Sequence, residues 1–305
     1  MKPTMKPAKT NGGSWRHLAI AVVGGDEREQ EICRHAAATG AAVRGFGFPW
    51  PPQGIEGVTL SNDAAAALTG ANIALFPIPG IATDGSLFAT QSIVPRESLL
   101  ALMAPRAHLI LGRADVDLKA AAAATGIAIH EYEGDHELML LRAPAIVEAA
   151  LKIIIENTAI TIHGARICVV GQGNIGAVLT RTLIALGAKV TVAARNPVQR
   201  AAAYTLGAAT LELTSLAAAA PEFDVLLAAA PAPVVTPAVI NRLPAHALLM
   251  DLTAPPGSCD LDYARSTGRK AIWARALGRR APITVGGSQW VGIAKIINRV
   301  ILEGA

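Results

Sequence analysis

The stretch Arg166-Ile167-Cys168-Val169-Val170-Gly171-Gln172-Gly173-Asn174-Ile175-Gly176 decides the fold. Four apolar residues run straight into Gly171-x-Gly173-x-x-Gly176, and an apolar helical pattern over residues 177–186 follows at once. Strand, glycine turn and helix in that order are the signature of a dinucleotide-binding unit. Gly171 permits the sharp turn, Gly173 lets the backbone approach a pyrophosphate, and Gly176 lets helix and strand pack closely. The helix N-terminus adds amide donors and a partial positive charge. The expected phosphate cradle is Gly171, Gly173, Asn174, Ile175 and Gly176.

Outward from this turn, strand candidates recur at 189–193, 224–229, 247–252 and 270–273, with helices between them. Before it, strands are expected at 18–23, 41–46, 73–77, 108–111 and 127–132, again alternating with helices at 27–39, 64–68, 96–103 and 118–125. Alternation of this kind means parallel sheets covered on both faces. The pattern predicts an α/β protein with two doubly wound, Rossmann-like domains and a cleft between them. Residues 1–14, rich in lysine, proline and glycine, read as a flexible tail. Residues 15–140 form an N-terminal α/β substrate domain, and 141–160 hold a connecting helix, with Ile146, Val147, Ala150, Ile153 and Ile154 at helical spacing. Residues 161–284 form the nucleotide domain, and 285–305 form a C-terminal helix returning to the first domain.

The chain has 305 residues, enough for two domains of ordinary size, and is 52% hydrophobic. Aromatics are only 4%, which argues against stacking platforms for nucleic acid. A net charge of +4, from 27 basic and 23 acidic residues, is too mild and dispersed for a nucleic-acid surface and suits a bland soluble surface or an anionic small molecule equally well. Cys33, Cys168 and Cys259 lie far apart with no C-x-x-C pairing, so neither a disulfide framework nor a metal site is expected. The early apolar run 18–23 is too short for a membrane span. A cytoplasmic location with no membrane contact is the expectation, and dimerisation suits an alanine-rich two-domain enzyme.

The second strand of the nucleotide domain ends Ala193-Ala194-Arg195-Asn196, with Arg200 one turn onward. An acidic residue near this place binds the ribose hydroxyls of NAD. Arg195 would instead pair with a 2′-phosphate, so NADP is favoured over NAD, with Arg195 and Asn196 as its adenosine-side ligands. Two further strand ends carry Ala230-Pro231 and Leu252-Thr253, expected to flank the nicotinamide, because ligands bind outside the carboxyl ends of strands in open sheets. His163 reads as a turn or packing residue. His130 and His136, flanking the acidic stretch 131–135, read as part of a solvated loop. With no nucleophile or metal cluster in sight, hydride transfer by the cofactor would carry the chemistry. Glu148 is the candidate acid or base, because its helix should border the cleft.

Five segments recur in order and at similar spacing in a known family: Gly24-Gly25-Asp26-Glu27-Arg28, Thr161-Ile162-His163-Gly164, the 171–176 turn, Ala193-Ala194-Arg195 and Asp251-Leu252. In these the chain resembles the A subunit of dipicolinate synthase. The resemblance implies a two-domain NADP-dependent dehydrogenase, similar in architecture to the 2-hydroxyacid dehydrogenases. It also implies a flavoprotein-like B-type partner and a tetrahydrodipicolinate-type substrate. Binding such a dicarboxylate would call on Arg28, Arg113, Arg142 and the amides of Gly24 and Gly25. The chain departs from the family pattern at Glu29, where a glutamine is usual, at residues 253–258, where a basic residue is expected, and at 142–149 and 277–280. Three readings follow. The first is an NADP-dependent oxidoreductase acting on a small cyclic imine or dihydro-heterocycle. The second is a reductase or dehydrogenase of a pterin-like ring. The third is a non-catalytic NADP-binding subunit that scaffolds a flavoprotein partner.

Overall fold

The computed structural model describes residues 15–78, 80–82 and 84–303. The expected tail, 1–14, lies outside the described residues. The chain divides into two compact units, one running to Leu141 and resuming at Ala281, the other Arg142–Arg280.

Unit 1 contains the parallel strands β1 (Ala19–Val23), β2 (Ala42–Phe46), β3 (Val58–Leu60), β4 (Ile73–Leu75), β5 (His108–Leu111) and β6 (Ala128–Glu131). Its helices are α1 (Glu27–Ala37), α2 (Ala64–Leu68), α3 (Glu97–Leu100) and α4 (Val116–Thr125). The strand order is β3-β2-β1-β4-β5-β6, so the sheet reverses direction of growth between β1 and β4. Helix α5 (His136–Asn157) crosses the unit boundary with Pro144 inside it, starting earlier and ending earlier than the expected 141–160.

Unit 2 repeats the plan with β7 (Arg166–Val170), α6 (Asn174–Ala185), β8 (Lys189–Ala193), α7 (Pro197–Thr205) and β9 (Ala209–Leu211). There follow α8 (Leu216–Ala219), β10 (Val225–Ala228), α9 (Pro237–Ile240), β11 (Leu248–Asp251), α10 (Leu261–Ser266) and β12 (Lys270–Trp273). Its order, β12-β11-β10-β7-β8-β9, reverses between β7 and β10. The fold is thus α/β with two doubly wound domains. The final helix, α11 (Pro282–Glu303), belongs to unit 1 and begins three residues before the expected 285.

The core strands read as unbroken apolar runs because both faces are covered. In β7, Ile167 and Val169 pack with Leu179 and Leu183 of α6, while Cys168 and Val170 point the other way, toward Leu216, Phe223 and Ile240. In β1, Ile20 and Val22 face α1 and α11, and Ala21 and Val23 face the opposite layer. Helix α11 lies close on α1 because Gly286 carries no β-carbon; one built there would stand 2.6 Å from the Arg28 carbonyl oxygen.

Two strands escape the sequence reading, β3 and β9. Both are three-residue edge strands with mostly exposed side chains, too short to show an apolar period. His130 and Glu131 stand in β6, inside the strand expected at 127–132, and not in a solvated loop. A ring nitrogen of His130 lies 3.0 Å from one of His108, and Glu131 accepts the Ala114 amide at 2.7 Å.

Candidate functional site

In unit 2 the last residues of five strands stand in register as one row, Ala193–Val170–Ala228–Asp251–Trp273. This carboxyl edge is where open α/β sheets take ligands. Gly171 follows Val170 with φ +97°, a backbone that L side chains rarely adopt, and a β-carbon there would meet the Ala230 amide nitrogen at 2.8 Å. Gly171 thereby brings the nucleotide turn against the loop that follows β10. A β-carbon on Gly176 would collide with the Gly171 carbonyl oxygen, so helix and turn touch only because residue 176 is glycine. Gly173 differs from both. It is the N-cap of α6, has no side chain to cap it, and nothing lies within 4 Å of where its β-carbon would be. The first-turn amides at Asn174, Ile175 and Gly176 have no intrahelical acceptors, as at any helix start. A cradle left open at its centre and tight on both sides fits a pyrophosphate. The turn is braced from behind, where the buried Gln172 accepts a 2.9 Å hydrogen bond from the Thr180 hydroxyl.

One strand to the side, Arg195 and Asn196 stand exposed after β8. The Asn196 side-chain oxygen caps α7 through the Val198 amide at 2.9 Å. Arg200 does not point outward beside Arg195. Its guanidinium donates to the carbonyls of Ala194 and Arg195 at 2.8 and 2.9 Å and pairs with Glu212. It stiffens the turn that presents Arg195.

On the other side, Asp251 organises the loop after β11. It is fully buried, and its four accepted bonds come from the Thr253 amide and hydroxyl (2.9 and 2.6 Å) and the amides of Ser258 and Cys259 (2.6 and 2.9 Å). Burial and the nearby Asp251 carboxylate push the Cys259 thiol up, so it stays protonated. The Trp273 indole donates to the Thr253 carbonyl at 2.9 Å. Leu252 and Thr253 are therefore rigidly placed, with the Thr253 hydroxyl committed to Asp251. The sequence reading noticed Asp251 only through the resemblance; its role depends on partners up to eight residues away and has no local signature.

Unit 1 has a comparable turn at the end of β1, closed by its own side chains. Asp26 caps α1, accepting the Arg28 amide at 3.1 Å, and Glu29 reaches back to the Asp26 amide at 2.7 Å. This capping box satisfies the helix start from within. The Arg28 guanidinium grips Asp26 with both arms at 2.7 and 2.8 Å and is almost wholly buried. Glu29 is buried too, and burial, with Asp26 beside it and against the pull of Arg28, pushes its carboxyl up to about 7. Gly25 makes room for it, since a β-carbon there would collide with the Glu29 carboxyl group.

Several expected substrate ligands are thus differently employed. The Gly24 and Gly25 amides, expected as carboxylate donors, are bound to the carbonyls of Phe46 and Phe88 at 2.8 and 2.6 Å. They close the loop rather than a ligand. Arg113 is exposed in the loop after β5, and Arg142 is half-buried on α5 in unit 2. Glu148, the expected acid or base, is 63% exposed and ion-paired with Arg280. A solvated carboxylate already held by a guanidinium is poorly placed to carry a proton, so that role loses its geometric support. His163 packs beneath Gly187, where a β-carbon would collide with its ring, and the Gly164 amide donates to the Gly187 carbonyl. The Thr161-to-Gly164 segment therefore buttresses the amino end of β7 and β8, away from the ligand edge. Among the described residues no group of three His, Cys, Asp or Glu could hold a metal, and no helix is long and apolar enough to cross a membrane.

Two doubly wound units, one with an open glycine cradle, define the class: a dehydrogenase-fold protein. The D-lactate dehydrogenase of Escherichia coli shares the fold, with a TM-score of 0.58 over 88% of this chain and 93% of that one at 15% identity. Residues 153–260 match the shikimate / quinate 5-dehydrogenase family, and residues 19–133 match the family of the dipicolinate synthase A-subunit N-terminal domain. The chain is similar to the dipicolinate synthase A subunit over most of its length. It is 26% identical to that of Bacillus subtilis (strain 168) over 94% of this chain and 96% of the relative. The crystal structure of the Bacillus halodurans protein superposes with a TM-score of 0.85, covering 93% of this chain and 99% of that one at 27% identity.

Proposed function

We propose that the protein transfers a hydride between NADP(H) and a small anionic ring with a C=N or C=C bond, as a dipicolinate-synthase-A-like oxidoreductase. The open α6 N-terminus at Gly173, one strand from the exposed Arg195, is the observation that carries this reading. Gly171, Gly173, Asn174, Ile175 and Gly176 would hold the pyrophosphate, and Arg195 with the Asn196 amide group would hold the 2′-phosphate. Ala230, Pro231, Leu252 and Thr253 would flank the nicotinamide, kept in place by Asp251. The nicotinamide, when bound, supplies the hydride chemistry. On this reading the chain's own task is to orient the ring and exclude water. The similar Bacillus subtilis protein is itself named as one subunit of a synthase, which supports a partner here, so a nucleotide-binding subunit that serves a flavoprotein is the second reading. The ion pair that occupies Glu148 favours keeping it.

Fluorescence titration with NADPH and NADH tests the cofactor assignment. Wild type should bind NADPH more tightly, and Arg195→Asp should weaken NADPH by about tenfold or more while leaving NADH nearly unchanged. Equal losses for both nucleotides would refute the role of Arg195. NADPH oxidation with ring acids, alone and with a flavoprotein partner, separates the two readings. Tight binding without turnover in either case favours the second.

A further inference from the structure

The row of strand ends carries an arginine two residues beyond each of two of its members. Arg195 follows Ala193, next to the nucleotide turn, and Arg275 follows Trp273, three strands from the turn on the opposite side. At ~4.8 Å per strand, Arg275 stands roughly 14 Å along the edge from the glycine turn. A dinucleotide that crosses the switch point with its adenosine toward β8 extends its other half toward β10 and β11. Arg275 lies beyond that half.

The surroundings of Arg275 distinguish it from an ordinary surface arginine. Its guanidinium carbon lies 5.1 Å from the centre of the Trp273 ring, a cation–π contact. The same indole is tied by its N–H to the Thr253 carbonyl, and Thr253 is held by the buried Asp251. Gly257 of the same loop lies against both, a β-carbon there standing 3.1 Å from an Asp251 carboxylate oxygen and 3.8 Å from the Trp273 ring. Arg275 is thus seated on a rigid platform joined to the loop expected beside the nicotinamide. Among the described residues its side chain makes no ion pair and no hydrogen bond. By contrast Arg280, five residues on, is taken by Glu148, and Arg200 by Glu212. The next residue, Ala276, has φ +55°, an uncommon conformation outside glycine that turns the chain sharply after the arginine.

We propose that Arg275 is the substrate's carboxylate anchor. Its planar guanidinium, pre-set on Trp273, takes a ring carboxylate with two parallel N–H···O bonds and holds the ring over the loop 252–257. Two arginines then divide the work along one edge: Arg195 selects the phosphate and Arg275 selects the acid. This rests on the nucleotide reading of the Gly171–Gly176 turn, and the test keeps the two apart.

The experiment is calorimetric titration of the NADP-loaded full chain with pyridine-2,6-dicarboxylate and with uncharged 2,6-pyridinedimethanol, for wild type, Arg275→Gln and Arg275→Lys. NADPH affinity is measured on each by fluorescence. The expected result is that wild type binds the diacid and not the diol. Arg275→Gln weakens the diacid roughly tenfold to hundredfold with NADPH affinity and melting temperature unchanged, and Arg275→Lys recovers part of the loss. Equal diacid affinity in wild type and Arg275→Gln overturns the proposal. So does a wild type that binds NADPH but no ring acid, while the cofactor reading stands. Loss of NADPH binding in wild type itself overturns both.

Discussion

In both units the first strand ends in a glycine turn that feeds a helix where the strand order reverses, Gly24-Gly25-Asp26 into α1 and Gly171-Gln172-Gly173 into α6. The backbones do the same thing and the side chains do opposite things. In unit 1 the helix start is filled by Asp26 and Glu29, and Asp26 is in turn held by Arg28. In unit 2 the helix start has glycine at its N-cap and open space in front of it. An anion-binding helix N-terminus needs unspent donors. One fold thus supplies two such positions, and side chains decide which of them stays available to a phosphate.

The comparison can be broken at Asp26, where the largest effect is expected. Asp26→Ala removes a cap and leaves the buried Arg28 without its partner. Loss of one partner of a buried pair costs about 3–5 kcal/mol, to be read by denaturant unfolding. A loss below about 1 kcal/mol would mean that the closed turn is ornamental to stability.

A smaller effect follows from Glu29. Its folded value of about 7 lies above the ordinary carboxyl range, so the unfolded chain releases this proton at lower pH than the folded one. Its contribution to stability is complete in acid, below the unfolded value, and is lost as pH rises toward and through about 7. Glu29→Gln, which restores the amide usual in the resembling family, should flatten that slope. At pH 8 it should stabilise the fold by on the order of 1–3 kcal/mol, judged from melting curves between pH 5 and 8. Parallel curves for the two proteins would show that Glu29 does not titrate there.

How much of this was legible in the sequence depends on how local the cause is. The tight turn at Gly171 and the close helix packing at Gly176 could be read in advance, because steric demands at fixed spacing leave glycine little alternative. The alternation of strands and helices could also be read, since buried parallel strands are unbroken apolar runs. The Gly24 and Gly25 amides were expected to face a ligand, but Phe46 and Phe88 accept their bonds, and partners 22 and 63 residues away leave no trace near the turn. The pair Asp26 and Glu29 did carry a capping-box pattern, and their three-residue spacing was the signal available. Arg200, one turn beyond Arg195, is shown by its bonds to Ala194 and Arg195 to brace the turn. Arg275 gave no signal at all, because its meaning comes from the register that sets Trp273 beside Asp251.

The most direct test is to give unit 2 the cap that unit 1 has. Gly173 sits at φ −81° and ψ −162° with room for a side chain, so Gly173→Asp is sterically permitted and can cap α6 as Asp26 caps α1. NADPH titration and thermal melting of this variant should show nucleotide binding abolished, while the ligand-free protein melts at the wild-type temperature or slightly above, a cap being comparable to or better than glycine by a few tenths of a kcal/mol. Wild-type NADPH affinity in a folded Gly173→Asp protein would contradict the assignment of this turn as the phosphate cradle.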